Sequence, residues 1–229
     1  MKKLFKNFIK LTISIILIFM TLIYFHVSLL YAQDLMFDTM ITKIIGKVEY
    51  KKGEQFLEAL VFMKIRNNDY LKIHENSEVS ILFQSNGHQE IWKGPVSIQI
   101  GEYGSTVENG TNNKILPKIK KLPINTSDKV FSGSNFTAKA INSRAGVTIV
   151  RNASTQQKVE EKIKEGLKTY GNLKKELGEK DIIPELYLLE LYSENGEYEK
   201  TKEQLKNIYA KFPDNNEFHK CTEEITTNE

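Results

Sequence analysis

The fold of this chain is decided by residues 77–100, which read SEVSILFQSNGHQEIWKGPVSIQI. Apolar residues recur at every second position in two runs of this stretch, 79–83 and 96–100. Successive side chains of a strand point to opposite faces, so each run predicts a strand with one buried face. The Asn-Gly pair at 86–87 is a strong hairpin signal because both residues tolerate positive φ. Similar runs and turn residues extend over 41–107, which predicts an all-β region of short strands.

The last third of the chain has helical rather than strand periodicity. Apolar residues recur every three or four positions over 155–177, which predicts an amphipathic helix that ends at Gly178. Two further helices are predicted at 184–195 and 198–212, separated by Gly196. Residues 112–129 have lysines, two prolines and little periodicity, and they predict a linker; two more strands are predicted at 136–141 and 146–151. The sequence therefore predicts an α+β protein.

The first 33 residues predict targeting to a membrane. Lysines precede residues 11–30, an apolar run in which His26 is the only acidic or basic side chain. A helix of this length spans the roughly 30 Å hydrocarbon core of a bilayer. Two alternatives stay open: a signal peptide cleaved after Ala32, or an uncleaved N-terminal membrane anchor. In both, the positive-inside rule makes the rest extracytoplasmic, either periplasmic or secreted, or anchored to the inner membrane.

The charge of the chain argues against nucleic-acid binding, and its single cysteine excludes an intramolecular disulfide. The net charge is +3, but residues 1–33 contain four lysines and no acidic residue, which leaves 28 basic against 29 acidic residues. Nucleic-acid binding requires clustered positive charge, so no nucleic-acid partner is expected. Cys221 is the only cysteine and has no intramolecular disulfide partner.

The sequence contains no pattern of residues that predicts catalysis. There is no P-loop, no G-x-G-x-x-G motif and no G-x-S-x-G motif, and the four histidines are scattered. His88 and Glu90 stand two apart on a predicted strand, where they form either a metal-binding pair or a solvated hairpin flank; the flank is the expectation. We therefore expect no enzyme activity, no cofactor and no metal.

Residues 41–107 also carry the positions of a known domain pattern. The matching residues are Ile44, Gly46, Val48, Asn68, Asp69, Ser77, Val79, Ile81, Phe83, Asn86 and Gly87. This stretch resembles the FecR-like extracytoplasmic domain of bacteria. The resemblance implies a sandwich or short β-solenoid over 40–151, including the linker at 112–129, without implying a chemistry. Asn68 stands where the family has glycine, and asparagine can also adopt positive φ.

The family also includes regulators of σ factors, and one feature argues against that role. Those regulators carry a folded cytoplasmic domain before the membrane helix, whereas ten residues precede the apolar run here. We therefore expect the extracytoplasmic domain to act by itself or in another assembly.

Residues 154–225 resemble a tetratricopeptide repeat, a helix-turn-helix unit of 34 residues. The matching residues are Leu188, Tyr192, Gly196, Tyr198, Leu205, Ile208 and Pro213. With one recognisable unit and one preceding helix, the resemblance implies a small α-helical bundle. Such a bundle has a small core, so we expect it to dock on the β domain.

Four aromatic residues are candidates for a ligand or partner surface. Trp92 and Tyr103 flank a predicted strand and can stack on a sugar, while Tyr187 and Tyr198 can face a peptide groove. Core packing is the default expectation for Trp92, and the core between the helices is expected to take most of the tyrosines there. The sequence thus predicts a non-enzymatic binding or scaffold protein of the bacterial envelope, which recognises another envelope protein or a cell-wall glycan. The alternative is a membrane-anchored sensor or signalling subunit that relays an external state to a partner membrane protein.

Overall fold

A computed structural model describes residue 20 and residues 39–108, 115–123, 125–134 and 153–213. The chain divides into two units, Met1–Phe37 and Asp38–Glu229, and all the strands and helices below belong to the second. The predicted strands at 136–141 and 146–151 lie outside the described residues, as does the apolar run except for Met20. Among the helices that are described, none has the length and hydropathy needed to cross a bilayer.

Two five-stranded antiparallel sheets form the β part of the described residues. The strands are β1 (Thr39–Ile45), β2 (Val48–Lys52), β3 (Gln55–Glu58), β4 (Lys64–Ile65), β5 (Tyr70–Ile73), β6 (Glu78–Phe83), β7 (His88–Lys93), β8 (Val96–Ile100), β9 (Ser105–Val107) and β10 (Lys118–Lys121). Sheet A has the order β10-β7-β6-β1-β4, and sheet B has the order β3-β2-β5-β8-β9. With the helices below, these sheets confirm the α+β class.

The facing sides of the two sheets share one apolar core. The alternating side chains of the two diagnostic runs meet there and are buried: Val79, Ile81, Phe83, Val96, Ile98 and Ile100. Trp92 on β7 pairs with Val79 and is 2% exposed in the same core. The period of two in the sequence therefore predicted these inward positions correctly.

Several residues with positive φ form the turns of this β part, and Asn68 and Gly46 are two of them. Asn68 has φ +71°, so asparagine does adopt the conformation expected at this position. Gly46 has φ +75°, and a Cβ atom there would lie 2.5 Å from the Ser77 hydroxyl oxygen. That hydroxyl accepts a hydrogen bond from the backbone N–H of Lys47 at 2.9 Å. Both conformation and space therefore require glycine at position 46.

Four helices follow among the described residues. They are α1 (Thr126–Ser134), α2 (Ala153–Leu177), α3 (Ile183–Glu194) and α4 (Tyr198–Lys211). The three predicted helices are confirmed as α2, α3 and α4, with ends within two residues of those expected. Gly178 and Gly196 have φ +84° and +68°, so each adopts the conformation that ends a helix.

The helices cover the second face of sheet A. Met40 on β1 and Leu82 on β6 are fully buried in a core that they share with the four helices. The prediction that β6 has a single buried face is therefore wrong, because Ser80 and Leu82 lie under the helices. Helix docking on sheet A, which the small bundle required, is confirmed by this shared core.

Residues 112–129, which the sequence predicts to be a linker, contain a strand and the first turn of a helix. Strand β10 pairs with β7, with Lys120 opposite Gln89, and α1 begins at Thr126. The strand was missed because β10 is an edge strand whose residues are mostly exposed, so it lacks the apolar alternation of a half-buried strand.

Candidate binding cleft

A cleft of about 500 Å³ lies between helices α2 and α3, with α1 at one end. Its lining residues are Lys129 from α1; Lys162, Glu165, Gly166 and Thr169 from α2; and Tyr187, Leu191, Glu194 and the following Asn195 from the α3 side. The α2 and α3 residues recur every three or four positions, so each helix contributes one continuous stripe to the cleft wall. Two helix faces therefore build the site.

The floor of the cleft is set by a close approach between α2 and α3. A Cβ atom at Gly166 would lie 2.5 Å from both terminal methyl carbons of Leu191. Leu191 is 4% exposed and packs in the core shared by the helices and sheet A. Gly166 therefore allows the two helices to approach closely, and its place in the helix interior was the sequence signal for this contact.

The rim of the cleft carries charges of both signs. Lys129 on α1 forms an ion pair with Glu194 on α3 at one end. Lys162 and Glu165 are exposed on the opposite wall, on α2. A strongly anionic ligand would be repelled by the two glutamates, and a strongly cationic one by the two lysines.

Tyr187 lies in the wall of the cleft and is 6% exposed. Its hydroxyl has no hydrogen-bond partner among the described residues. It is not among the buried polar atoms that lack a partner, so the hydroxyl oxygen is accessible to solvent. The cleft therefore offers a ligand one polar group that the described protein does not satisfy.

A buried carboxylate holds the helices together beside the cleft. The Glu185 side chain on α3 is 8% exposed and accepts hydrogen bonds from the Tyr170 hydroxyl at 3.2 Å and from Gln204 Nε2 at 3.1 Å. It also pairs with Lys211 Nζ at 2.6 Å. Burial and the Glu185 charge raise the pKa of Tyr170. Helices α2, α3 and α4 thus meet at one carboxylate, which fixes the angle of the cleft walls.

The structure does not bring the four predicted surface residues together. Tyr187 lines the cleft, and Tyr198 is half-buried at the start of α4. Tyr103 is 62% exposed in the turn between β8 and β9. Trp92 is in the core between the two sheets, so core packing, the default expectation, describes it. The cleft residues on α2 were not found from the sequence, because they lie beside the apolar stripe that predicted the helix.

A second polar cluster surrounds Glu90, which is 4% exposed. Its carboxylate accepts hydrogen bonds from Trp92 Nε1 at 2.9 Å and from the backbone N–H and the hydroxyl of Ser105. His88 Nε2 lies 3.3 Å away, and its ring stacks on Phe83 with centroids 5.0 Å apart.

This cluster corrects one expectation and has a structural role. The His88 side chain is 13% exposed, so its assignment to a solvated hairpin flank is wrong. A nucleophilic triad places histidine between the serine and the acid, whereas here Glu90 stands between Ser105 and His88. The arrangement therefore joins β7 to β9. No group of three potential metal-ligating side chains occurs in the part of the chain that the structure describes.

Comparison of the chain with protein-family models, curated proteins and solved structures finds no match.

Proposed function

We propose that this chain is a non-enzymatic, extracytoplasmic binding or scaffold protein of the bacterial envelope that holds a segment of another protein in the α2–α3 cleft. In this proposal the β part is a FecR-like sandwich, and the helices form a small bundle similar to a tetratricopeptide repeat. The observation that carries the proposal is the cleft itself, with its apolar floor at Leu191 and the Tyr187 side chain in its wall.

The chemistry of the cleft favours a polypeptide as its occupant. A peptide supplies carbonyl oxygens that can accept a hydrogen bond from Tyr187 and apolar side chains that can contact Leu191. The rim of two lysines and two glutamates favours a segment with charges of both signs. A cell-wall glycan is less well supported, because Trp92 is buried and Tyr103 stands apart from the cleft.

The extracytoplasmic location is supported by the sequence of residues 1–33. The lysines before the apolar run favour an orientation in which the folded unit leaves the cytoplasm. Intact mass spectrometry of the soluble and membrane fractions tests this location and distinguishes a cleaved chain from an anchored one. Recovery of the uncleaved chain in the cytoplasmic fraction would contradict it.

Site-specific photocrosslinking in cells tests the cleft. A crosslinking amino acid at Thr169, which lines the cleft, is compared with one at Lys168, the adjacent exposed position on α2. We expect an adduct with a defined protein segment from position 169 and not from position 168. Equal adducts from both positions would contradict the proposal.

Titration of the crosslinked segment then measures the contribution of the cleft. Thr169→Trp fills the cleft and is expected to abolish binding, while Lys168→Trp is the matched control and keeps the wild-type affinity. Tyr187→Phe removes only the hydroxyl, and the loss of one hydrogen bond is expected to raise Kd roughly 2- to 12-fold. Unchanged binding by Thr169→Trp would show that the segment binds elsewhere.

The alternative function, a membrane-anchored sensor that relays an external state to a partner membrane protein, is favoured by one observation. The side chain of Asp181 is buried where the helices meet sheet A, and it can change charge in the pH range of an external medium. This function requires the uncleaved anchor, which the fractionation experiment above measures.

A further inference from the structure

Asp181 lies in the turn between α2 and α3, against the face of sheet A that the helices cover. The residue is 1% exposed, and so is Gln89 on β7, while Thr42 on β1 is fully buried. Thr42 is the extra residue of a bulge in β1, where the register against β6 shifts between Ile41 and Lys43. Its carbonyl oxygen accepts the backbone N–H of Ile182 at 2.9 Å. The turn is therefore hydrogen-bonded to sheet A at the residue next to Asp181.

The carboxylate of Asp181 has only neutral hydrogen-bond partners. Oδ1 accepts the backbone N–H of Ile183 at 3.0 Å. Oδ2 lies 2.6 Å from Gln89 Nε2 and 3.4 Å from the Thr42 hydroxyl. An ionised carboxylate that is buried without a cation is costly, because neutral donors replace the lost water only in part.

Charged groups are present on the elements around this turn, but each has another partner or faces solvent. They are Lys43 and Glu78 from sheet A, Lys120 from β10, Lys174 and Glu176 from α2, Glu179 and Lys180 from the turn, and Glu185 from α3. Lys43, whose charge acts on Asp181, pairs with Glu78 at 2.7 Å, and Lys120 donates to the Glu176 carbonyl at 2.7 Å. Within the described residues, none of these cations forms an ion pair with Asp181.

The short contact between Gln89 and Asp181 fits a protonated carboxyl. Its Oε1 is buried and has no hydrogen-bond partner in the described structure, and the same is true of the nearby Ser80 hydroxyl. The 2.6 Å separation from Asp181 is short for an N–H donor but ordinary for an O–H donor. The two ends of a glutamine amide are nearly identical in shape. Turned end for end, Gln89 presents Oε1 to Asp181 and Thr42, and a protonated Asp181 donates to it.

We propose that Asp181 carries a proton when the helices are docked on sheet A, and that loss of this proton to water at higher external pH weakens the docking. Burial raises the pKa of Asp181 to about 6, and the hydrogen bond from the Ile183 N–H opposes that rise without cancelling it. The junction therefore responds to pH whichever segment binds in the cleft. Docking of the helices on sheet A, and with it the cleft, is therefore more stable in a mildly acidic medium than in a neutral one.

The expected size of the response follows from linkage between protonation and docking. If the carboxyl titrates at its ordinary value of 3.8 when exposed and at about 6 when docked, the equilibrium constant for undocking rises roughly tenfold between pH 5 and pH 8. The equilibrium constant for undocking stops rising above the pKa of the docked state, because the carboxyl is then ionised in both the docked and the undocked state.

Amide hydrogen exchange of the full-length chain in membrane-mimetic nanodiscs measures this response. After correction for intrinsic exchange, we expect the protection of α3 to fall about tenfold from pH 5 to pH 8 and to stay below that of β6 and β8 at both pH values. Asp181→Asn is expected to remove the pH dependence, since an amide cannot ionise there. Glu179→Gln is the matched control from the same turn: Lys174 keeps the Glu179 pKa low, so it does not titrate in this range.

Three outcomes would overturn the proposal. The first is an α3 protection that stays constant between pH 5 and pH 8, and the second is a wild-type response in Asp181→Asn. The third is equal protection of α3, β6 and β8 at each pH, which would mean that α3 opens by global unfolding rather than by undocking. A carbon NMR titration of the wild-type carboxyl covers the case in which Asp181→Asn does not fold. A midpoint near 4 in that titration would also refute the proposal.

Discussion

Gly166→Ala tests the close approach of α2 and α3 that forms the floor of the cleft. The added Cβ atom would lie 2.5 Å from the Leu191 methyl carbons and 3.0 Å from its Cγ. Leu191 is 4% exposed, so it can move only by displacing other buried side chains. Overpacking of this kind costs about 1–3 kcal/mol, while alanine in place of glycine inside a helix gains about 1 kcal/mol.

Gly171→Ala is the matched control in the same helix. A Cβ atom at Gly171 has no atom within 4 Å, so this variant gains the helix propensity without a clash. We expect Gly171→Ala to raise the free energy of unfolding by about 0.5–1 kcal/mol and Gly166→Ala to fall below Gly171→Ala by about 1–3 kcal/mol.

Urea denaturation, followed by circular dichroism, measures both free energies of unfolding on identical preparations. The comparison cancels the shared propensity term, so the difference reports the contact at position 166. Equal stabilisation by the two substitutions would refute the close packing of α2 on α3, and with it the described floor of the cleft.

Three other predictions concern buried groups. The folded pKa of Asp181 is raised, so its contribution to stability is fully present below pH 3.8 and is lost as the pH rises through about 6. We expect the free energy of unfolding to fall by about 3 kcal/mol over this range. Asp181→Asn is expected to abolish this fall in urea titrations. Trp92→Phe leaves the buried Glu90 carboxylate without its indole donor and should cost about 1–3 kcal/mol by the same assay; a smaller loss would contradict the role of that hydrogen bond. Gly94→Ala would place Cβ 1.8 Å from the His74 carbonyl oxygen, so we expect a loss of more than about 3 kcal/mol, and a wild-type melting temperature would contradict the packing of this turn.

Local patterns predicted the elements that are governed by local physics. The alternation over 79–83 identified the side chains that face the sandwich core, and Gly178 ended α2 where its positive φ was expected. Asn68 likewise adopted the conformation that was inferred for it. These predictions succeeded because strand alternation and positive φ depend on a residue and its immediate neighbours.

The candidate site was only partly accessible to such patterns. Tyr187, a candidate for a groove or for the core, packs in the core and also lines the cleft, whereas Trp92 is buried in the core between the sheets. The residues opposite Tyr187 on α2 belong to a polar stripe. In a single helix, a polar stripe is expected to face solvent. Only the position of α3 beside α2 makes that stripe one wall of a cleft.

The sequence by itself determined the α+β class, the main strand faces and the ends of three helices, because each depends on periodicity or on one special residue. Tertiary structure decided which faces are covered. Leu82 lies on the polar side of an alternating strand, and Asp181 is an ordinary acidic turn residue, yet both are buried because the helices pack on sheet A. Burial is a property of the elements that meet, so it sets the environment of Asp181 and the shape of the cleft.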